Sequence, residues 1–381
     1  MDFSLSAEQR ELVEAATDFA RRELNQDLAK REDAGEFPRE AWQACAKFGI
    51  QGMPVPAELG GAGSDVLTTT LVMEALGRGC LDNGLLFSLN AQMWSVELPL
   101  VIFGTPEQQQ AYLPGLVSGG KIGGHAMTES ESGSDALHMR SRAERRGDYY
   151  VLNGSKQYIT NAPVADVFLV YASAQHRPGV TGLSAFLVDA GTPGLEVSSG
   201  FEKMGLRTSP MGELALTDCQ VPAENRLGPE GAGMAIFNSS MEWERSCLFA
   251  SAVGAMQRQL DACVAYARSR EQFGQPIGKF QSVAAKLADM YVRLEAARLM
   301  IYRVAWQKQQ GRSAPAEAAA AKLFTSEAWI QSSRDAIQTH GAWGYLKDAG
   351  IERDLRDAMA GTIYSGTSEI QRVIIARMLG L

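Results

Sequence analysis

The sequence lacks several features that would assign it to other protein classes. No apolar run approaches the roughly 20 residues that a membrane-spanning helix needs, so we expect no membrane helix. No basic run occurs and the net charge is −8, so a nucleic-acid backbone would be repelled and is not an expected partner. No G-x-G-x-x-G segment follows a predicted strand, which argues against a Rossmann nucleotide site.

The cysteines and histidines form no pattern that indicates a metal centre or a nucleophilic triad. The chain has four scattered histidines and five cysteines, an odd number that is never spaced as C-x-x-C. We therefore expect buried thiols, no disulfide framework and no metal. The cysteines are Cys45, Cys80, Cys219, Cys247 and Cys263.

What is present fits a globular protein of more than one packed unit. The chain has 381 residues, of which 45% are hydrophobic, and domains of that composition cluster near 100–150 residues. The first nine residues carry no basic segment before an apolar stretch, and Ser6 with Gln9 matches a helix capping box. We expect a cytoplasmic protein whose first helix begins near Ser6.

Hydrophobic periodicity divides the chain into three parts. Residues 1–120 place apolar side chains at three- and four-residue spacing, which predicts helices. Between 121 and 230 the spacing changes to two, which predicts a small β domain, and after 231 long helical patterns return, as a helical bundle requires. The predicted class is α+β, with a helical domain over 1–120, a β domain over 121–230 and a helical bundle over 231–381.

Individual segments sharpen this division. Val167–Tyr171 and Leu183–Val188 predict strands, and Asn153-Gly154 predicts a hairpin turn because both residues tolerate positive φ. Helices are predicted over 232–268, 280–310, 315–340 and near 367–379.

Three motifs carry a resemblance to a known family. They run from Ala126 to Asp135 (AMTESESGSD), from Tyr158 to Ala162 (YITNA) and from Ile363 to Arg372 (IYSGTSEIQR). In this order and at these separations they resemble the acyl-CoA dehydrogenases from end to end. The resemblance implies an N-terminal helical domain, a middle β-barrel domain and a C-terminal four-helix bundle. It also implies FAD, a homo-oligomer that is a dimer or a homotetramer (a dimer of dimers), oxidation of the Cα–Cβ bond of an acyl thioester, and an electron-transfer flavoprotein as a partner.

The resemblance also implies which residues bind the flavin. In the family, the segment matching His125 to Ser134 runs along the flavin, and the segment matching Tyr158 to Thr160 covers its ring. The bundle of a neighbouring subunit grips the diphosphate and adenine. Tyr158 stands where tryptophan is frequent, and Ala342 replaces a common glycine. Taken alone, Thr128 and Thr160 could be surface threonines of the β domain, and Arg270 could be a solvated helix charge. The implied cofactor residues are His125, Met127, Thr128, Gly133, Ser134, Tyr158, Ile159, Thr160, Arg270, Gln272, Phe273, Phe280, Gln281, Gln338, Gly341, Ala342, Thr367 and Glu369.

Two positions could hold the catalytic base. Most of the family has a glutamate where this chain has Ser365, whereas isovaleryl-type enzymes carry it on the earlier helix, where this chain has Glu244. A serine hydroxyl without assistance is too weak a base, so we expect Glu244 to remove the α-proton, with an ion pair between Glu244 and Arg245 as the alternative. The backbone N–H of Ser365 is expected to polarise the thioester carbonyl, and its side chain is expected to take no part in catalysis.

The substrate is the least constrained prediction. The resemblance implies that Ser134, Glu242, Arg245 and Tyr364 contact it. The segments around Glu244 and Ser365 look like those of dehydrogenases that oxidise L-prolyl groups on peptidyl carrier proteins in antibiotic biosynthesis, and a small serine leaves space for a ring. Two alternatives stay open: a short or branched acyl-CoA dehydrogenase of the isovaleryl kind, and a family member without catalytic activity.

Overall fold

Helices occupy both ends of the chain in the computed structural model, which describes residues 4–174 and 182–381. Those before the strands are α1 (Ala7–Glu23), α2 (Leu28–Ala34), α3 (Arg39–Phe48), α4 (Val66–Gly79), α5 (Asn83–Gln92), α6 (Leu98–Phe103) and α7 (Pro106–Val117). Those after the main sheet are α8 (Gly233–Glu244), α9 (Ala250–Ser269), α10 (Gln281–Gln309), α11 (Pro315–His340), α12 (Ile351–Gly361) and α13 (Ser368–Met378).

Strands fill the middle of the chain. They are β1 (Gly123–Ala126), β2 (Arg142–Arg146), β3 (Tyr149–Thr160), β4 (Val167–Ser173), β5 (Leu183–Asp189), β6 (Leu195–Val197), β7 (Met211–Pro222) and β8 (Arg226–Leu227). They form one eight-stranded sheet in the order β6-β7-β3-β2-β4-β5-β8, with β1 parallel to β4. A separate two-stranded hairpin, β9 (Glu271–Gln272) and β10 (Gln275–Pro276), leads into the longest helix.

The centre of the sheet is buried on both faces. Alternate residues of β4 enter two different hydrophobic clusters: Phe168 and Val170 pack in one, and Leu169 and Tyr171 in the other. The second cluster also contains Ile236 of α8. Because one face of β4 meets α8, the sheet and the end of that helix are held at a fixed separation, which matters for the site below.

The predicted hairpin at Asn153-Gly154 is wrong. Both residues lie inside β3, where the pairing with β7 shifts register between Leu152 and Gly154, so this is a bulge. Gly154 has φ 148°, and a Cβ there would lie 2.7 Å from the Cα of Ser141, so close backbone approach explains the glycine. The turn itself lies earlier, at Gly147, which has φ 66° and joins β2 to β3.

The predicted helix over 232–268 is two helices. The hydroxyl of Ser246 donates to the carbonyl of Glu242 at 2.6 Å. In a continuous helix this carbonyl would accept from the backbone N–H of Ser246, so the side chain competes with the helical hydrogen bond. The chain then turns through Cys247–Phe249 into α9. The break leaves Glu244 as the last residue of α8.

Other predictions agree with the structure. Ser6 and Gln9 form the capping box of α1, β4 and β5 cover the predicted strands, and all five cysteines are buried and unpaired. The element type changes between Val117 and Gly123 and again between Leu227 and Gly233, near the predicted boundaries, although the division into three domains stays a prediction.

Helices from both ends of the chain pack together. α4 lies on α9, while α9, α10 and α11 pack against one another and α12 and α13 against α11. Within the described residues, one continuous helical stretch, Asn83–Phe103, is long and apolar enough to cross a membrane, and 78% of its most apolar window is buried inside the fold. That burial is typical of a core helix.

Candidate active site

Glu244 is buried where three separate elements meet. Its residue is 9% exposed, and each carboxylate oxygen accepts a hydrogen bond from a serine hydroxyl. Ser365 donates to Oε2 at 2.6 Å, and Ser95 donates to Oε1. At the C-terminal end of α8 a carboxylate faces the negative end of the helix dipole, so these two donors supply stabilisation that the helix does not.

The alternative of an ion pair between Glu244 and Arg245 is not what the structure contains. Among the described residues, no cationic group forms a salt bridge with Glu244. Arg245 instead donates through Nε to the carbonyl of Ser365 at 3.2 Å. Burial lowers the pKa of Arg245, and the nearby Glu244 works in the opposite direction. Glu244 thus stays a buried carboxylate held by neutral donors.

Ser95 reaches Glu244 from an irregular helical turn. The segment Met93–Glu97 is a π-helical turn between α5 and α6, and Pro99 follows it. In a regular α-helix the carbonyl of Ser95 would accept from the N–H of residue 99, which proline lacks. The N–H of Leu98 bonds to Met93 instead, and such π-turns are frequent at functional sites.

Ser365 adopts a backbone conformation that a non-glycine residue rarely takes. Its φ is 54°, and its carbonyl accepts from both Arg245 and Gln371, each at 3.2 Å. None of the hydrogen bonds found among the described residues uses the Ser365 N–H, so this donor is free for a ligand. The Ser365 hydroxyl contacts Glu244 directly, and the expectation that this side chain takes no part in catalysis stays a prediction.

Aromatic side chains enclose the carboxylate. Tyr364 packs between Phe87 and Phe249, with ring centroids 4.6 and 5.3 Å away. Trp243 stacks on Trp94 at 5.9 Å with an interplanar angle of 6°. These rings fix the end of α8 against the π-turn and exclude water from the side chain beside them.

Three further titratable groups face the negative charge of Glu244. Burial and then that charge raise the pKa values of Tyr364 and Tyr171. Burial is the largest cause that lowers the pKa of His125, and Lys156 acts in the same direction, whereas the charge of Glu244 works in the opposite direction. The buried Nε2 of His125 has no hydrogen-bond partner in the part of the chain that is described. An unpaired polar atom therefore lies near the charge of Glu244.

Glu242 does not join this group. Its carboxylate accepts from Lys308 at 2.7 Å, from the hydroxyl of Ser313 at 2.7 Å and from the N–H of Ala314 at 3.1 Å. Burial works to raise the pKa of Glu242, but these hydrogen bonds outweigh it and lower the pKa. Glu242 links α8 to the start of α11, and its contact with substrate stays a prediction.

The two segments matched to the flavin ring lie side by side. The N–H of Gln157 donates to the carbonyl of Thr128 at 2.9 Å, which aligns Thr128 with Tyr158–Thr160. Behind them, Lys156 and Glu129 form a buried ion pair at 2.8 Å, and Lys156 also donates to the carbonyl of Met127. The loop after β1 is therefore fixed to β3, whereas Gly133 and Ser134 farther along it are exposed.

Tyr158 is the most unusual residue of this surface. It has φ 61° and is 55% exposed, with its ring 5.7 Å from that of Phe201. Ile159 beside it is buried and Thr160 is half-buried. A strained backbone that presents an aromatic face beside two threonines is suited to a planar polar ring system.

The residues matched to the rest of the cofactor lie elsewhere. Arg270, Gln272 and Phe273 are exposed on and before the β9–β10 hairpin, and Phe280 and Gln281 follow at the start of α10. Phe273 is 94% exposed, and the centroid of its ring lies 6.0 Å from that of Phe280 in an edge-to-face arrangement. Within the described residues these side chains form no enclosed site.

Three of the predicted cofactor residues, Gln338, Gly341 and Ala342, lie at a helix end. It is the C-terminal end of α11, where a helix exposes carbonyl groups and partial negative charge, so the dipole offers a phosphate no attraction. Thr367 and Glu369, by contrast, begin α13, and the Thr367 hydroxyl accepts from the N–H of Ile370 at 3.3 Å. All five assignments to the cofactor stay predictions.

Two residues of the site could not be found from the sequence. Ser95 lies 149 residues from Glu244 in the chain, and Tyr171 looks like an ordinary strand residue. The usable signal for Ser95 was Pro99, which predicts a helix irregularity one turn earlier. No group of three or more potential metal ligands occurs among the described residues.

Comparison with known proteins follows the same three-part division. Models of the acyl-CoA dehydrogenase N-terminal, middle and C-terminal domains match residues 6–120, 124–219 and 231–380. An L-prolyl-[peptidyl-carrier protein] dehydrogenase from Serratia sp. (strain ATCC 39006) is 44% identical over 381 residues, which cover 100% of this chain and 99% of that protein.

Two solved structures superpose on nearly the whole chain. The prolyl acyl carrier protein oxidase AnaB gives a TM-score of 0.98 at 49% identity, covering 99% of this chain and 100% of that one. PigA with FAD and proline gives a TM-score of 0.97 at 43% identity, covering 100% of both chains. On these matches, which extend across all three parts of the sequence, the chain belongs to the acyl-CoA dehydrogenase family.

Proposed function

We propose that this protein is an FAD-dependent dehydrogenase of acyl thioesters and that its preferred substrate is an L-prolyl group on a peptidyl carrier protein. The observation that carries the proposal is the buried Glu244, held by Ser95 and Ser365 with no second carboxylate at position 365. The relative from Serratia and the structure of AnaB, reported above, support the prolyl group because both are named for prolyl groups on carrier proteins.

The residues present fit a bound flavin. Tyr158 offers an exposed aromatic face on a strained backbone, and Thr128 and Thr160 offer hydroxyls beside it. Such groups suit a planar ring with polar edges. FAD, when bound there, supplies the acceptor for the two electrons that leave the substrate.

The chain's own residues handle the proton and the carbonyl. Glu244 takes the α-proton, and one hydrogen leaves Cβ with two electrons, so a saturated Cα–Cβ bond becomes a double bond. The free N–H of Ser365 donates to the thioester oxygen, which stabilises the negative charge that develops there. Removal of two hydrogens from a prolyl thioester and, after an external electron acceptor has reoxidised the flavin, of two more, gives a pyrrole-2-carbonyl thioester.

A small residue at position 365 favours a ring substrate. A glutamate side chain there would extend toward the space that Ser365 leaves open beside Glu244 and Tyr364. A five-membered ring holds its α-carbon and β-carbon in one rigid unit. Its binding site must therefore be wide beside the base rather than deep. The same width would also accept a branched acyl chain, which makes isovaleryl-type thioesters the runner-up.

The partners follow from the substrate. A carrier protein presents its acyl group on a phosphopantetheine arm, so docking depends on a surface patch near the entrance rather than on an adenosine phosphate site. Carrier proteins are usually acidic, so we expect local Lys and Arg at that patch despite the net charge of −8. We further propose a homotetramer that acts in the cytoplasm in antibiotic biosynthesis, with an electron-transfer flavoprotein as a candidate acceptor.

A mass measurement tests the proposal. The purified yellow protein is incubated separately with L-prolyl carrier protein, isovaleryl-CoA and L-prolyl-CoA, and Glu244→Gln serves as the control for base-dependent loss of hydrogen. Loss of two and then four hydrogens from the prolyl carrier, slower at high salt because exposed charges are screened over about 8–10 Å, supports it. Efficient turnover of isovaleryl-CoA with an inert prolyl carrier assigns the protein to the runner-up, and no turnover of any thioester supports a non-catalytic member.

A further inference from the structure

We infer that Ser95 and Ser365 are positioning residues that hold the Glu244 carboxylate in the orientation needed for proton abstraction. The inference rests on the proposed function, because it requires Glu244 to be the base. It adds two side chains to that function: Ser95, which no sequence motif marks, and Ser365, whose hydroxyl would position the base without itself reacting.

The geometry gives each carboxylate oxygen its own donor. Ser365 donates to Oε2 at 2.6 Å and Ser95 to Oε1, and 2.6 Å lies in the range of charge-assisted O–H···O bonds. The donors come from the π-turn before α6 and from the loop after α12, so they approach from two independent elements. Two bonds to two oxygens fix the rotation of the carboxylate about its last torsion, which one bond cannot do.

Hydroxyl donors restrain the carboxylate without removing its capacity to take a proton. A carboxylate offers about four lone-pair sites, so two serine bonds leave sites free for the α-proton. A salt bridge would hold the group equally well, but it would neutralise the charge that draws the proton. In the described part of the chain no lysine or arginine comes within ion-pair distance of Glu244.

Both serines occupy irregular backbone. Ser95 lies in the π-turn, and Ser365 has φ 54°, a region where serine is disfavoured and glycine or asparagine is preferred. Local strain that the surrounding structure maintains tends to occur at functional sites. At this position glycine would relieve the backbone strain, whereas serine supplies the hydroxyl that donates to Glu244.

The first test removes and restores the Ser95 hydroxyl. In Ser95→Ala we expect flavin reduction at saturating L-prolyl carrier protein to fall about 10- to 100-fold, because a small misplacement of a catalytic group costs up to about 10²-fold. FAD content and the KM for the carrier should change less than threefold. Ser95→Thr keeps a hydroxyl and should recover most of the rate.

The second test separates the Ser365 hydroxyl from the strain of its backbone. Ser365→Ala and Ser365→Gly both remove the hydroxyl, but only glycine relieves φ 54°. If the hydroxyl positions Glu244, the two variants lose rate by the same factor even though the glycine variant melts at the higher temperature. If the residue acts only through stability, the rate follows the melting temperature and the glycine variant is the faster.

A buried serine elsewhere provides the matched control. Ser333 accepts from Gln259 at 2.7 Å inside the helical bundle and does not contact Glu244. Ser333→Ala should lower the melting temperature and leave the rate unchanged. Because Ser95 and Ser365 hold the same carboxylate, the double variant should lose less than the product of the single losses.

The outcomes separate this inference from the proposed function. Serine variants within twofold of wild type, beside an inactive Glu244→Gln, overturn the positioning role alone. An active Glu244→Gln overturns the base and the inference together. Should isovaleryl-CoA rather than the prolyl carrier reduce the wild-type flavin, the serine variants are measured with that thioester, and the proposed substrate fails while the positioning role is still decided.

Discussion

Two groups of predicted site residues are in opposite states in this chain. Glu244 is buried and its polar atoms are paired: the residue is 9% exposed, and both carboxylate oxygens accept hydrogen bonds. The residues around Phe273 are exposed to solvent. Phe273 is 94% exposed at the tip of a two-stranded hairpin, and Arg270 and Gln272 beside it are exposed as well.

The difference indicates which part of the predicted site a single chain can form without a second subunit. A base must be fixed and dry, and α8, the π-turn and the loop after α12 achieve this within one subunit. A phenylalanine left in water forgoes about 1.5–3 kcal/mol of burial free energy, and Phe273 also has φ 50°, a strained conformation for a bulky residue. We therefore expect the hairpin to be covered by another copy of the chain and by its cofactor.

The largest expected effect comes from Glu244→Gln, which tests the buried group. The amide preserves the volume but cannot accept the α-proton, so reduction of the flavin by substrate should fall by about 10³-fold or more. Stopped-flow absorbance measures the rate, while the spectrum of the oxidised flavin reports its content. FAD content and melting temperature should stay close to wild type.

Glu97→Gln is the matched control for this change. Glu97 is a buried carboxyl whose pKa burial raises to about 8, so at pH 7 it is mostly protonated and an amide resembles it. It interacts with Gln92 at 2.7 Å rather than with Glu244. A wild-type rate in Glu244→Gln, or an inactive Glu97→Gln, would contradict the assignment of the base.

The second effect comes from Phe273→Asp, which tests the exposed group. If a second subunit covers the ring, a charge at its centre should split the oligomer and weaken FAD retention by about 10- to 100-fold, since buried aromatic anchors dominate interface energies. Light scattering coupled to gel filtration measures the mass, and dilution followed by filtration measures retained flavin. Phe273→Leu, which stays apolar, should keep both properties, and a monomer that retains stoichiometric FAD would refute the shared site.

A smaller effect is expected from Arg270→Ala on the same surface. Loss of one charge-assisted contact costs about 1.5–3 kcal/mol, so the dissociation constant of FAD should rise roughly 10- to 100-fold, with the oligomer intact. Arg268→Ala, an exposed arginine two residues earlier on α9, is the matched control and should leave FAD binding unchanged. Equal FAD content in both variants would remove Arg270 from the site.

The contrast also explains what the sequence could predict. The types of the elements and their order follow from hydrophobic periodicity, because each strand or helix must bury one face. The helix predicted over 315–340, for example, has the bounds that α11 has in the structure. The hairpin at Asn153-Gly154 failed because close approach to Ser141, not a turn, requires the glycine. Local propensity cannot tell whether a glycine is needed for a turn or for the close approach of another backbone segment.

The candidate site was predictable only where it is local or shared with the family. Glu244 could be identified because its motif lies in one segment of sequence. Ser95 could not, because its bond to Glu244 depends on how α8, the sheet and the π-turn pack. The contact between the Ser365 hydroxyl and Glu244 could not be predicted for the same reason, since the two residues lie 121 positions apart in the chain.

A buried lysine beside the site gives the smallest effect and shows the opposite treatment of a buried charge. Lys322 of α11 is 0% exposed, and its Nζ has no hydrogen-bond partner within residues 4–174 and 182–381, whereas Glu244 has two. The pKa of Lys322 is lowered to about 8, chiefly by burial and next by the charge of Arg245, while Glu327 and Glu369 act in the opposite direction. The folded pKa is thus below the unfolded value near 10.4. Below pH 8 both states hold the proton, and the folded state bears the whole cost of the buried charge. Between pH 8 and 10.4 the unfolded state holds more protons, so stability rises with pH.

Lys322→Met has a similar length and no charge, so it should raise the free energy of unfolding by about 1–3 kcal/mol at pH 7 and by progressively less up to pH 10. Urea unfolding at pH 7 and pH 10 measures the two differences, and a gain that is equal at both, or a loss at pH 7, would show that Lys322 has a partner in the assembled protein.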